Sequence, residues 1–195
     1  MLYLCSVIRC FVEFRSMEIL THSLNFSEYR SKYLEKERFE KLCRECGNYG
    51  HCWTCPPFAA ASLPDLDKYD NILLIACRID VGDNDVMEVI AENRRVIEKE
   101  LLSLETASSG LAFGFTGFCP YCKECNRPSG EKCRFPQKAR PALEAYGFDL
   151  CRTMEDFFGE SLHWTAGNEK RHSVTLIGGL AYNGSVSPSF KLSND

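Results

Sequence analysis

The sequence predicts an α/β fold, with a small mixed or mostly parallel sheet layered with helices and two cysteine-rich loops. Three observations predict it. Asn71-Ile72-Leu73-Leu74-Ile75-Ala76-Cys77 is an apolar run of strand length, as a strand covered on both faces requires. Ser173 to Tyr182 is a second such run, with Gly178-Gly179 inside it. Between them, Val86, Ile90, Ile97, Leu101 and Leu104 recur at helical spacing over Asp85 to Glu105.

The remaining elements follow in chain order. Residues 18 to 24 predict a short strand, and Asn25 to Phe39 a helix with Ser27 as its N-cap and Tyr29, Tyr33 and Leu34 on its apolar side. The glycines and prolines of residues 43–57 predict a loop, and Leu63 to Lys68 a short turn. Asp83-Asn84-Asp85 caps the long helix rather than forming a calcium loop. Leu111 to Phe115 predicts a strand that runs directly into the second cysteine group. Gln137 to Tyr146 predicts a helix stopped by Gly147, Phe148 to Cys151 a short strand, and Thr153 to Gly159 a short helix. The domain organisation is one unit over residues 17–182. Residues 1–16 form an extension or an over-called start before Met17, and 183–195 a polar tail.

The chain has 195 residues, 45% of them hydrophobic and 26% charged, which suits one domain with its own core. A net charge of −4 and the lack of a long basic run argue against nucleic-acid binding. No apolar stretch is long enough for a membrane span. Twelve cysteines in a chain with no convincing signal peptide point to the cytoplasm and to metal or redox chemistry, rather than to a disulfide scaffold. Cys77, inside an apolar run, reads as a core residue. No Walker loop, dinucleotide glycine fingerprint, nucleophile elbow or H-E-x-x-H motif is present.

The chemistry lies in the other cysteines. Cys119-x2-Cys122-x2-Cys125, followed by Cys133, has the spacing of the first three ligands of a ferredoxin-type iron–sulfur run. Thiolates this close in sequence converge on one centre from a tight loop. The fourth ligand departs from that run, since Cys133 follows after seven residues and precedes Arg134. Cys43-x2-Cys46-x5-Cys52-x2-Cys55 forms two knuckles of the kind zinc also takes, with His51 alongside as a lesser candidate. Lys123, Arg127, Lys132, Arg134, Lys138 and Arg140 make a basic island around the second group, opposed by Glu124 and Glu131. Such an island suits a negatively charged centre, an acidic redox protein partner or an anionic small molecule.

These residues resemble a family of bacterial and archaeal predicted metal-binding proteins, domain of unknown function number 2284. The resemblance runs from about Met17 to Tyr182. It is carried by Cys43-x2-Cys46 with Tyr49-Gly50, Trp53 and Cys55-Pro56-Pro57, and by Cys119-x2-Cys122-x2-Cys125 with Cys133-Arg134, Arg140, Glu144-Ala145 and Gly147. Cys52 stands outside that pattern. The resemblance implies metal binding, with an iron–sulfur cluster as the expected cofactor and no settled activity.

The leading expectation is therefore a cytoplasmic protein with one or two [4Fe-4S]-type centres in a redox or accessory role. Cys119, Cys122, Cys125 and Cys133 hold one. Cys43, Cys46 and Cys55, with Cys52, hold a second or share the first. The alternative is a zinc (Zn2+)-stabilised structural module. A third reading, an enzyme, rests on Arg134, Arg140, Glu144 and His163 as polar groups, with Arg140 and Glu144 read as a surface ion pair on one helix.

Overall fold

The structure is a computed structural model that describes residues 17–162 and 172–192. Four strands, β1 (Met17–Asn25), β2 (Asn71–Asp80), β3 (Leu111–Phe113) and β4 (Ser173–Tyr182), form one sheet in the order β1-β2-β4-β3. Four helices accompany them: α1 (Phe26–Tyr33), α2 (Lys36–Arg44), α3 (Val86–Ser108) and α4 (Leu150–Phe158). Among these described residues, no helix is long and apolar enough to cross a membrane.

The mixed α/β class holds, but every neighbouring strand pair is antiparallel. The reason is an insertion. β2 and β3 both run opposite to β4, so they share a direction, as strands joined through a crossover helix should. β4 then lies between them and separates the one parallel pair that the alternation of elements suggests.

Alternation along β2 divides the core. Leu73, Ile75, Cys77 and Ile79 face one side with Val89, Ile97 and Leu101 of α3. Ile72, Leu74 and Ala76 face the other with Phe26 and Tyr29 of α1, Phe148, and Leu150 and Met154 of α4. Successive side chains point to opposite faces, so a strand covered twice must be apolar throughout. Cys77 is fully buried, and burial pushes its thiol up to about 12. It is a core residue. Past β4, Phe190 returns to the α3 face and packs against Phe115.

Three expected elements differ. The helix expected over Asn25 to Phe39 is two helices, because Leu34 leaves the helix to bridge Phe148 while the Glu35 N–H donates to the Gly147 carbonyl at 2.8 Å. Gly147 has φ +101°, and a Cβ there would lie 2.8 Å from the Lys36 Cα, so this crossing admits only glycine. The N-cap of α1 is Asn25, not Ser27: its side chain accepts from the Glu28 N–H at 3.1 Å.

No α-helix forms over Gln137 to Tyr146; only Leu143–Tyr146 makes a 3-10 turn. Residues 140–142 are instead held extended against Gly114, whose N–H donates to the Pro141 carbonyl at 2.9 Å. A Cβ on Gly114 would lie 2.5 Å from the Arg140 carbonyl oxygen. The strand expected at Phe148 to Cys151 reduces to that single bridge. Asp149 then caps α4 by accepting from the Arg152 N–H at 3.1 Å.

Candidate metal centre

The first cysteine loop follows α2 and is closed by local turns. The Cys46 N–H donates to the Cys43 carbonyl at 3.0 Å, and the Cys55 N–H to the Cys52 carbonyl at 3.1 Å. Each C-x2-C knuckle is thus one tight turn. The second loop leaves the sheet from β3. Thr116 is its last anchor on β4, donating its N–H to the Ile177 carbonyl at 2.9 Å. Cys119 comes three residues later.

The two loops meet. A cavity of about 190 Å³ is lined by Cys119, Cys122, Cys125 and Cys133 of the second loop and by Cys52 of the first. Trp53, Phe118, Tyr121 and Phe135 supply its aromatic walls. The Cys52 sulfur lies 3.2 Å from the Thr54 hydroxyl oxygen. Interaction with the neighbouring Cys119 and Cys55 thiols holds the Cys52 thiol well below the ordinary range, while the same sharing, with burial, pushes Cys55 and Cys119 up. Among the described residues, no group of three or more His, Cys, Asp or Glu side chains is drawn together tightly enough to hold a metal ion. The five cysteines line a space without converging on one point.

Cys55 adjoins Cys52, whereas Cys43 and Cys46 lie apart. Cys46 is exposed. Cys43 lines a different cavity, and burial followed by the Glu144 carboxyl pushes its thiol up. The His51 ring is at the mouth of the five-cysteine cavity, with Nδ1 2.7 Å from the Tyr49 carbonyl oxygen.

Arg127 joins the loops. Its Nη1 donates to the carbonyls of Cys52 at 2.6 Å and Cys55 at 2.5 Å, and its Nη2 to that of Pro57. Its guanidinium lies 5.2 Å from the centre of the Trp53 ring, and Trp53 Nε1 donates to the Glu131 carbonyl at 3.0 Å. A residue of the second loop therefore fixes the backbone of the first. We expect Arg127→Ala to destabilise the chain by about 2–3 kcal/mol, since hydrogen bonds from a charged donor contribute about 1.5–3 kcal/mol each when buried and less when partly wet. Denaturant midpoints measure this, and faster labelling of Cys52 by a thiol reagent reports the freed loop. Arg127→Lys should not restore it, because a single ammonium does not reproduce the planar fork.

The second loop is propped from below by α3. Arg94 and Glu98 are both buried and form an ion pair one helical turn apart. Arg94 Nη1 donates to the Phe118 carbonyl, immediately before Cys119. The neighbouring Tyr121 hydroxyl and Phe115 N–H favour the charged form of Glu98. Burial pushes the Glu98 carboxyl up, and the Arg94 charge opposes it.

Several polar residues singled out in the sequence have other roles. Arg140 does not pair with Glu144. There is no helix to align them, and Arg140 makes a forked contact with Glu105, with Nη2 2.7 Å from Oε2. Glu144 is left with Oε2 buried and without a partner, and burial pushes its carboxyl up to about 7. Arg134 donates to the Glu124 carbonyl at 3.1 Å. His163 lies outside the described residues. The basic island is thus smaller at the surface than in the sequence. Arg127 and Arg140 point inward, while Lys123, Lys132, Arg134 and Lys138 are exposed.

In the sequence Arg127 reads only as one cation of the basic island, and nothing there marks Arg94, Glu98 or the burial of Glu144. Only position could have marked Arg127, as a cation two residues beyond Cys125 in the loop itself. A family model described as predicted metal-binding protein (DUF2284) matches residues 31–180. No curated protein and no solved structure matches the chain.

Proposed function

We propose, from the premise that this chain belongs to that family of predicted metal-binding proteins, that it is a cytoplasmic iron–sulfur protein with a redox or accessory role. The observation that carries this reading is the cavity lined by Cys52, Cys119, Cys122, Cys125 and Cys133. Its donor set is all thiol, and three of the five follow the C-x2-C-x2-C spacing that suits a cluster.

In this reading Cys119, Cys122, Cys125 and Cys133 hold a [4Fe-4S]-type cluster, which supplies one-electron transfer when bound. The rest is done by the chain. Trp53, Phe118 and Phe135 keep water from the sulfurs. The Phe135 N–H donates to the Cys133 sulfur at 3.4 Å, which favours its thiolate. Arg127 keeps Cys52 against Cys119 by holding the first loop. Cys43, Cys46 and Cys55 are assigned to a second centre or to a share in the first. The exposed cations Lys123, Lys132, Arg134 and Lys138 form the face for an acidic redox protein.

The test is anaerobic purification followed by iron, acid-labile sulfide and zinc analysis. Iron with equal sulfide supports the reading, with about four irons per chain for one cluster and about twice that for two. Colourless protein with stoichiometric zinc overturns it. Cys122→Ser should abolish the visible absorption of the centre. If Cys133→Ala keeps that absorption and Cys52→Ala loses it, the fourth ligand comes from the first loop.

A further inference from the structure

The cavity between the loops has one cysteine more than a four-thiolate centre takes. Cys119, Cys122, Cys125 and Cys133 come to it from the second loop, and Cys52 from the first. Cys52 also stands outside the cysteine pattern that carries the family resemblance. It is buried, with 6% of the residue exposed.

Its neighbours are thiols from both loops. Cys119 of the second loop and Cys55 of the first both adjoin the Cys52 sulfur. The backbone is fixed on each side of the cavity. Arg127 Nη1 donates to the Cys52 carbonyl at 2.6 Å, and the Cys55 N–H closes its turn on the same carbonyl at 3.1 Å. Across from them, Thr116 ties the second loop to β4, and Arg94 donates to the Phe118 carbonyl, one residue before Cys119. Anchors outside the pair therefore set how Cys52 and Cys119 meet. A disulfide between residues far apart in sequence needs such prior placement, because its geometry is narrow. Cys119 shares the cavity with Cys52, whereas Cys55 adjoins Cys52 without lining it.

We propose that Cys52 and Cys119 form a reversible disulfide across the two loops, made by a hydroperoxide in the metal-free chain and undone by a dithiol. One sulfur of the pair attacks the peroxide. An S–O bond forms, the O–O bond breaks, and an alcohol leaves with the thiol proton (water, where the peroxide is hydrogen peroxide). The other sulfur attacks the resulting sulfenic acid. The S–S bond forms, the S–O bond breaks, and water leaves with the second thiol proton. In sum, two thiols and one hydroperoxide give one disulfide, one alcohol and one water, and two electrons pass from sulfur to the peroxide.

The bond stops oxidation of the pair at a reversible stage, short of sulfinic acid. It also removes the Cys119 sulfur as a ligand, because metals take the thiolate. That second consequence rests on the reading of Cys119 as a ligand; the bond itself does not.

The test uses the full chain, stripped of metal by a chelator under reductant and then freed of both. One equivalent of hydrogen peroxide is added, remaining thiols are alkylated in denaturant, and the peptides are mapped by mass spectrometry. We expect a cross-linked Cys52–Cys119 pair as the main product, about 2 Da lighter than the two reduced peptides together, and its loss after dithiothreitol. Cys52→Ala should lose that pair, and Cys55→Ala should keep it. Zinc bound per chain should fall on oxidation and recover once dithiothreitol has acted and been removed. A cross-linked chain whose zinc uptake is unchanged supports the disulfide and counts against Cys119 as a ligand, so the two failures are told apart. No disulfide at one equivalent, a Cys52–Cys55 bond as the main product, or a main product within the second loop each overturns the proposal.

Discussion

Arg94→Leu should destabilise the fold by about 3–5 kcal/mol, the cost of stranding one member of a buried ion pair. Glu98 would keep its place in the interior between α3 and the second loop with its balancing charge removed. Its carboxyl, already pushed up by burial, would be pushed up further without the opposing Arg94 charge. The loop would suffer as well, because the Phe118 carbonyl loses its donor directly before Cys119. Two measurements separate these effects. Chemical denaturation gives the stability loss, and metal uptake by protein that is still folded gives the loss of loop order. A double variant, Arg94→Met with Glu98→Met, should be less unstable than Arg94→Leu alone, since no buried charge is stranded. Equal stability of Arg94→Leu and the native chain would show that the pair is not the prop described here.

Glu144→Gln should act in the opposite direction. Burial holds this carboxyl at about 7 in the folded chain, against an ordinary value of 4.5. Between those values the folded chain keeps a proton that the unfolded chain has released. Stability therefore falls as pH rises from about 4.5 through 7, by about 3 kcal/mol in all at about 1.4 kcal/mol per pH unit. Glutamine carries no such proton. The variant should be more stable than the native chain by up to about 3 kcal/mol at pH 8 and no more stable at pH 4. Unfolding curves at the two pH values check this; a gain of equal size at both would exclude the buried charge as its source. A chain that gains stability when a carboxyl is neutralised is retaining that carboxyl for something other than the fold.

The long, two-sided elements were the legible ones. β2 and β4 announce themselves as apolar runs because both faces are covered, and α3 shows a stripe because only one of its faces is. What escaped the sequence depends on partners far along the chain. Leu34 looks helical until Phe148 takes its backbone, and residues 137–146 look helical until Gly114 holds their start extended. The Asp149 cap was readable from local signals, yet the apolar run beside it suggested a strand.

The same division applies at the cysteines. The second loop shows itself by spacing, which is local. Cys52 appears surplus in sequence because its neighbour in space, Cys119, belongs to the other loop. Arg127 reads in the sequence only as one cation of the basic island, because its acceptors are backbone carbonyls, which look alike in every sequence. Arg140 and Glu144 were paired by a helical interval that has no helix beneath it.

The position of β4 governs the order of assembly. It lies between β2 and β3, yet comes after both cysteine loops in the chain. Among the described residues β3 pairs in the sheet only with β4, so its pairing waits until residues 173–182 have emerged, and Thr116, the anchor of the second loop, waits for Ile177. A nascent chain halted before β4 would carry every cysteine of the five-sulfur cavity without the surface that sets its second half. Contacts this distant in sequence form late. Loading of the centre is thus tied to completion of the sheet, so an interrupted chain offers thiols but no finished site.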